Sequence, residues 1–395
     1  MSLTGFIYLF ISYTYVIIMI CSAFWIARSK TDKQYWQRAK VPIIIHAFTR
    51  GLRWARDQDY AGYFYHYSWM KDGQNPEDYE YLFFKVCDIF NAIGLPYWFF
   101  ILSLSILYIV AILFLFKNFK EALPFIFIVM FFPFKELDNM IRFGFAFSFI
   151  IIALGYLFQS KLKLSLLFVF LGMNVHTMVA VYFPIVLIAR YINEKTLPTK
   201  ITVPAFILLT LFGTSTMLSF VPDLITMVNF SFFERGEFYA EHMDDIINGT
   251  DDKFYTGSRG FVTSIRVIFA YLPLLLWGRD ALDRHSVKYG RFIYNMAVFA
   301  CLTYPILNLV ELLDRLNTTT MIFVIIGNGY VLYDYFYNKG NYPKYAKYLI
   351  YFCILCCLYP MISAPFHRIK DDYMLFLWDA NGRDIIPNNI YPMEE

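Results

Sequence analysis

The polar stretch from Arg50 to Tyr81 gathers three kinds of side chain that could do chemistry together. Guanidinium groups bind phosphate oxygens, carboxylates accept protons from hydroxyl groups, and tyrosine rings can stack on sugars. The residues concerned are Arg50, Arg53, Arg56, Asp57, Asp59, Tyr60, Tyr63, Tyr65, Glu77, Asp78 and Glu80. The alternative interpretation is a solvated loop whose charges pair with one another.

Charged or titratable residues also stand at the ends of apolar segments. Arg142 and Arg315 each open an apolar run, where a cation either reaches the lipid phosphates, pairs with a nearby acid or binds a substrate phosphate. For Arg315, a pair with Glu311 would have the favourable i, i+4 spacing. His176 joins two apolar runs and could be a base, a phosphate contact or an interhelical hydrogen-bonding residue. Arg266 lies about one turn inside its apolar run and should face the protein interior.

The composition indicates which elements must position these residues. The chain has 395 residues, of which 58% are hydrophobic and only 16% charged, and its mean hydropathy is +0.48. These values predict an all-α polytopic integral membrane protein, with 1–395 forming a single transmembrane domain. The sequence has no nucleotide-binding, zinc-hydrolase or serine-hydrolase motif, and nothing in it suggests a nucleic-acid partner. The cysteines lie mostly in apolar runs, so we expect Cys353, Cys356 and Cys357 to be buried or lipid-facing thiols and not metal ligands.

Apolar runs predict about ten to twelve transmembrane helices, several of them short enough to be half-helices or strongly tilted. They lie near 5–27, 39–52, 96–116, 121–134, 143–159, 163–175, 177–191, 201–219, 261–278, 291–309, 316–337 and 346–363. The first run lacks a basic leader and is predicted to be a membrane helix and not a cleaved signal. Residues 82–94 have the periodicity of an amphipathic helix lying on the membrane surface.

The distribution of charge predicts the orientation. One set of loops (28–40, 117–120, 160–163, 190–200, 278–292 and 338–347) carries 19 of the 34 Lys and Arg residues but only six acids, helix ends included. By the positive-inside rule these loops are cytoplasmic. The segment 50–94, the loop 220–260 and the C-terminal tail 364–395 are then external, as are Arg142, His176 and Arg315. The first of these would combine a catalytic loop with the amphipathic helix.

At several positions, the sequence resembles the EpsG family of Wzy-like bacterial polysaccharide polymerases. The run LRWARDQDYAGY matches a family pattern at Arg53, Asp59, Tyr60 and Tyr63, and Glu77 matches a glutamate that opens an amphipathic run. Further matches are the Arg-x-Gly-x-Ala pattern of IRFGFAFS, which begins at Arg142, the junction residue His176, and the late Arg315. The resemblance extends from about residue 5 to 340. It departs from the family pattern at Asp57, where a glycine is expected, and at Phe143, where a glutamine is expected.

The resemblance implies a GT-C-like membrane glycosyltransferase that polymerises oligosaccharide repeat units linked to undecaprenyl pyrophosphate. The reaction would take place on the external face of the bacterial inner membrane, without a metal or cofactor, to make O-antigen, capsule or exopolysaccharide. Its expected partners are the lipid-linked oligosaccharides, the bilayer and a chain-length regulator protein.

The matched residues then receive expected roles. Arg53, Arg142 and Arg315 would bind the pyrophosphate, and Tyr60 and Tyr63 the sugars. The base would be Asp59, Glu77 or His176; we favour a carboxylate, Asp59 slightly before Glu77, with His176 contacting the leaving group. The competing functions are an O-antigen ligase-type enzyme, a flippase for the same lipid-linked oligosaccharide, and a membrane acyltransferase.

Overall fold

The computed structural model of the protein describes residues 3–55, 58–70, 79–130, 140–214, 217, 260–309, 311–371 and 374–376. The chain forms two compact units. The first consists of Met1–Phe127, Lys135–Val186 and Tyr359–Glu395, and the second of Ile128–Phe134 and Leu187–Leu358. The expectation that 1–395 acts as a single membrane domain stays a prediction. The predicted external loop 220–260 lies outside the described residues except for Gly260, as do 377–395 of the predicted tail.

Most helices of the first unit follow the apolar runs of its sequence, but residues 58–70 form a helix within the polar stretch that was predicted to be a loop. The helices are α1 Leu3–Ala27, α2 Asp32–His46, the π-helix Ala47–Gly51, α3 Gln58–Met70, α4 Tyr81–Ala92, α5 Tyr97–Phe116, the 3-10 turn Lys117–Ala122, α6 Leu123–Met130, α7 Ile141–Phe158, α8 Leu162–Met173, the 3-10 turn Thr177–Val181 and α9 Tyr182–Ile192. The last residues of α6 and α9 belong to the second unit.

The second unit contains the remaining helices. They are α10 Thr199–Phe212, α11 Phe261–Arg284, α12 Gly290–Leu307, α13 Glu311–Tyr337, the 3-10 turn Lys339–Asn341 and α14 Ala346–Asp371, whose last turns belong to the first unit.

Six helical segments are long and apolar enough to cross a bilayer, which confirms the predicted polytopic membrane protein. They are Phe6–Ala27, Tyr97–Met130, Ile141–Phe158, Phe261–Arg284, Leu313–Tyr337 and Ala346–Ser363. Three shorter apolar helices, Leu162–Met173, Thr177–Ile192 and Thr199–Phe212, fall below the length of a full span. By length and composition, the described residues therefore contain six complete spans, and the short runs form short helices.

Two three-residue strands interrupt the helical fold. Strand β1 (Arg53–Ala55) pairs antiparallel with β2 (Met374–Phe376), so that Arg53 lies opposite Phe376. An isolated pair of strands this short would be marginally stable in water, so the pair depends on the rest of the fold. The pairing attaches the start of the C-terminal tail to the polar stretch that follows α2. The sequence had assigned both segments to the same membrane side.

A π-helix brings the chain from α2 to β1. Gly51 ends this segment against α5, where an added Cβ atom would lie 2.7 Å from Cδ1 and 3.1 Å from Cα of Leu102. Only a residue without a side chain permits this approach. Within the same segment, the Arg50 guanidinium lies 5.3 Å from the ring centre of Tyr15 on α1.

The amphipathic helix α4 confirms the periodicity in 82–94, and its end has a local cause. Gly94 adopts a left-handed conformation with φ of 73°, and the amide of Leu95 donates to the carbonyl of Phe90 at 3.0 Å. This is the hydrogen bond of a glycine-terminated helix. The Tyr67 hydroxyl of α3 also donates to the Leu95 carbonyl at 2.9 Å, and burial raises the pKa of Tyr67 to about 12, so the hydroxyl keeps its proton.

Within each unit, loops predicted to share a membrane side come together. In the first unit, Lys117 forms an ion pair of 2.6 Å with Asp32, and Lys120 donates to the carbonyl of Ser29 at 2.7 Å. In the second unit, Arg291 donates to the Glu194 carbonyl at 3.1 Å. These contacts join 28–40 to 117–120 and 190–200 to 278–292, as the charge distribution had grouped them.

A buried carboxylate joins two more of those loops in the second unit. Asp334, near the end of α13, is fully buried and accepts hydrogen bonds from Arg284 Nε at 3.0 Å and from the Tyr342 hydroxyl at 2.7 Å. His285 Nε2 lies 3.0 Å from Oδ1 of Asp334, and Asn338 donates to the same oxygen at 2.9 Å. Burial raises the pKa of Tyr342, so its hydroxyl stays a donor. The cluster fastens the ends of α11 and α13 to the turn before α14.

Candidate functional site

A carboxylate, a guanidinium group and an imidazole meet in the first unit. Glu80 Oε2 accepts a hydrogen bond of 2.8 Å from Nη1 of Arg142, and Oε1 accepts one of 3.0 Å from the backbone amide of Thr177. The nearest imidazole nitrogen, Nδ1 of His176, lies 3.9 Å from the same Oε1. The three side chains are only 11% to 17% exposed. The contact is thus a mostly buried ion pair with a histidine beside it.

Three separate elements position these side chains. Glu80 directly precedes α4, Arg142 is the second residue of α7, and His176 precedes the 3-10 turn that leads into α9. The amide of Leu82 donates to the carbonyl of Asn174 at 2.9 Å, which fixes the start of α4 beside the turn after α8. This bond holds the start of α4 next to the segment that follows α8. The Glu80 carboxylate therefore reaches the amide of Thr177, the first residue of the 3-10 turn.

The hydrogen bonds of His176 indicate its tautomer. Its Nδ1 accepts a 3.3 Å hydrogen bond from the amide of Met178, which caps the 3-10 turn. An accepting ring nitrogen carries no proton, so the proton of the neutral imidazole is on Nε2. The ring also meets Phe143 edge-on, with 5.7 Å between ring centres. In this arrangement Nε2 is a hydrogen-bond donor, which suits contact with an anionic oxygen.

Aromatic rings form one wall of the site. The Arg142 guanidinium lies 4.8 Å from the ring centre of Tyr79, within range of a cation–π interaction. Tyr79 is buried and lies 5.9 Å from Tyr63 and 5.2 Å from Phe83, centre to centre. Tyr63 on α3, half-buried, also meets Phe83 edge-on. These rings limit water around the ion pair, which strengthens its electrostatic interaction.

Two of these residues were not singled out by the sequence. In the sequence Glu80 is one of three acids that close the polar stretch, and the family pattern favours Glu77; no pattern points to Tyr79. The signal available was their position immediately before an amphipathic helix. Which acid at a helix start meets Arg142 depends on how α4 packs near α7, and local spacing does not encode that packing.

The structure brings together Arg142, His176 and Tyr63 from the predicted set. Tyr60 lies at the start of α3 but is fully buried, with its ring 5.3 Å from that of Tyr97, so here it is a core residue. Arg53 lies in β1 and Asp59 is the second residue of α3, whereas Glu77 falls outside the described residues. The roles predicted for these four residues stay predictions.

Arg315 belongs to the second unit, on the first turns of α13. Its neighbour Asp314 accepts a 2.6 Å hydrogen bond from Asn308. The Nε atom of Arg315 is buried and makes no hydrogen bond within the part of the chain that the structure describes. Convergence of Arg315 with Arg142 on one ligand stays a prediction.

Within the described residues, no group of three or more His, Cys, Asp or Glu side chains is arranged to hold a metal ion. Cys353, Cys356 and Cys357 are free, buried thiols on α14, as expected from their apolar surroundings.

Comparison with known proteins identifies a family that the chain matches. The sequence model of the EpsG family matches residues 40–378, which covers most of the chain and all the residues of the site just described. Comparisons with curated proteins and with solved structures return no match.

Proposed function

The chain belongs to the EpsG family of Wzy-like polysaccharide polymerases, and we propose that it joins oligosaccharide repeat units carried on undecaprenyl pyrophosphate. The family supports a polymerase role in polysaccharide biosynthesis, and the structure supports a multi-pass membrane protein. The cluster of Glu80, Arg142 and His176 supports the reaction steps in this proposal. We place this site on the external face of the inner membrane because of the charge distribution.

The proposal depends most on Arg142, which is mostly buried and would stabilise the leaving pyrophosphate. In the transfer step the acceptor hydroxyl oxygen attacks the anomeric carbon of the donor sugar, and the bond from that carbon to the pyrophosphate oxygen breaks with its electron pair. Negative charge therefore grows on the leaving pyrophosphate. A guanidinium group in a site of restricted water stabilises that charge more than it would in bulk solvent.

Glu80 acts in this proposal as a positioning residue. A lone cation of this burial would be costly, and its pair with Glu80 holds it in place before substrate binds. Both carboxylate oxygens are engaged, one by Arg142 and one by the Thr177 amide. The carboxylate therefore fixes the guanidinium group relative to the turn that carries His176.

His176 is suited to the leaving group rather than to the acceptor. With Nδ1 accepting from Met178, its Nε2–H group can donate a hydrogen bond to a pyrophosphate oxygen. The proton of the acceptor hydroxyl then passes to a carboxylate, for which Asp59 and Glu77 remain our candidates. Arg53 and Arg315 would bring further positive charge close to the pyrophosphate. We propose that the reaction needs no metal or cofactor and that a chain-length regulator sets the product size.

The surface glycan of cells that lack this protein tests the proposed function. A polymerase defect leaves lipid-linked single repeat units exposed outside the membrane, with no long chains. Loss of a flippase would instead leave the units on the cytoplasmic side, and loss of a ligase would leave full-length polymer on its lipid carrier. Either of those patterns, with long chains restored only by adding back this protein, would overturn the proposal.

A further inference from the structure

A row of side chains leads from the surface of α3 to the buried cation of the site. Trp69 is 50% exposed, and its ring centre lies 5.5 Å from that of His66. The His66 ring is 5.7 Å from Tyr79, and Tyr79 lies beneath the Arg142 guanidinium at 4.8 Å. Each member therefore contacts the next, from solvent to the ion pair.

A hydrogen bond orders the middle of this row. Nδ1 of His66 and the hydroxyl of Tyr79 are hydrogen-bonded, which fixes the imidazole against a buried ring. Asn91 of α4 donates to the Tyr67 carbonyl at 2.7 Å, so α3 is fastened beside α4 next to the row. Side chains that are ordered before a ligand arrives lose less entropy when they bind it.

The exposed end of the row offers two rings on one face of α3. Tyr65 is 36% exposed and lies four residues before Trp69, a spacing that places both on the same side of a helix. Flat aromatic faces beside a polar histidine suit a saccharide, because the C–H face of a sugar packs on the ring while its hydroxyl groups form hydrogen bonds. Exposed aromatic residues also anchor membrane proteins at the bilayer interface. The row differs from such an anchor because it continues inward to a charged pair.

We propose that Trp69 and His66, the latter held in place by the buried Tyr79, form the binding subsite for the acceptor saccharide beside the site at Arg142. This inference rests on the proposed function but assigns a surface that the family resemblance did not. The sugar contacts expected from the sequence were Tyr60 and Tyr63, and the first is buried here. Trp69 supplies the stacking surface, and His66, oriented by Tyr79, supplies a hydrogen-bonding group.

The test measures binding of the lipid-free repeat-unit oligosaccharide, released from the cell's own lipid-linked pool, to the purified full-length protein in nanodiscs. Trp69→Ala should weaken this binding about tenfold, because ring stacking is lost. Trp69→Phe keeps an aromatic face and should retain most of the affinity. Tyr81→Ala is the matched control, because Tyr81 is 69% exposed at the start of α4 and lies outside the row. It should bind like the wild type.

A second variant tests the hydrogen bond that orients His66. Tyr79→Phe removes the hydroxyl that bonds His66 but keeps the ring under Arg142. It should weaken oligosaccharide binding several-fold while binding of undecaprenyl pyrophosphate stays unchanged. Thermal unfolding of each variant verifies that it is folded.

Three outcomes would overturn the inference: wild-type affinity in Trp69→Ala, an equal loss in Tyr81→Ala, or no binding of the oligosaccharide to the wild-type protein. The equal loss would identify the exposed rings as a bilayer anchor. The proposed polymerase function fails separately, in the glycan pattern of cells that lack the protein. Long chains that disappear with the protein, together with unaltered binding in Trp69→Ala, would therefore reject only the acceptor subsite.

Discussion

At the scale of single residues, Glu80 holds the charged guanidinium group of Arg142 in position. The carboxylate forms an ion pair with the guanidinium group and also accepts a hydrogen bond from the Thr177 amide. Glu80→Gln keeps the shape of the side chain but removes its charge, so Arg142 loses a charge-assisted hydrogen bond worth about 1.5–3 kcal/mol. We predict about a tenfold lower rate of polymerisation, measured as chain length and yield at matched expression.

Asp88→Asn provides the control for this variant. Asp88 also pairs with a cation, Lys85, at 3.2 Å, but both side chains are more exposed than those of Glu80 and Arg142, so the pair contributes less. It should make polymer like the wild type. If Glu80→Gln also polymerises at the wild-type rate, Glu80 does not position Arg142 for the reaction.

A second prediction at this scale separates the candidate bases. Asp59→Asn, Glu77→Gln and His176→Gln each keep approximate shape while removing a proton acceptor. Because Nδ1 of His176 already accepts from Met178, we expect one of the two carboxylate variants to abolish chain growth. The measurement is the product length for each variant in cells. If both amide variants make full-length polymer and His176→Gln makes single units, His176 is the base and our assignment is wrong.

At the scale of elements, the Asp334 cluster fastens two helix ends and a turn. Asp334→Ala would remove the carboxylate that accepts hydrogen bonds from Arg284, Tyr342 and Asn338. Since Arg284 is partly exposed, we predict a loss of about 2 kcal/mol in the free energy of unfolding, less than for a fully buried pair.

Thermal unfolding of the purified protein in detergent measures that loss. Asp280→Ala is the control, because Asp280 pairs only with the exposed Arg279 beside it among the contacts seen in the structure. It should change the melting temperature little. Equal stability of the two variants would mean that the cluster does not hold these elements together.

The sequence predicted some elements well because their signals are local. Periodicity located α4 within two residues, and apolar length located α1, α7 and α11. The sequence did not predict the β1–β2 pair, because its two strands lie more than 300 residues apart in the chain and each has only three residues. Glu80 was missed for a related reason, since its partner is on α7 and its hydrogen-bond donor is in the turn after α8.

At the scale of the whole molecule, the distribution of charged residues among the loops predicts the orientation of the protein in the membrane. The structure brings together loops that the sequence had placed on one side, for example through Asp32 and Lys117. We predict that these loops face the cytoplasm. The charge asymmetry could be read from the sequence because it is a sum over loops and needs no tertiary contact.

Cysteine labelling tests the orientation. In a background where the exposed Cys21 is replaced by serine, Lys288→Cys should react with an impermeant thiol reagent only after the cells are permeabilised. Asp245→Cys, in the loop 220–260, should react in intact cells. Lys288 is exposed in the turn between α11 and α12, so poor access within the protein is not expected to hide it. The reverse labelling pattern would place the proposed site on the cytoplasmic side.

The most direct measurement of the central claim is transfer by the purified protein in liposomes that contain only the lipid-linked repeat unit. We predict that the wild type releases one undecaprenyl pyrophosphate for each linkage formed and produces long chains. Arg142→Gln should lower this rate at least tenfold, and Arg142→Lys should restore it only in part, because an ammonium group lacks the forked geometry of guanidinium. Polymer made by Arg142→Gln at the wild-type rate would contradict the claim that Arg142 stabilises the leaving group.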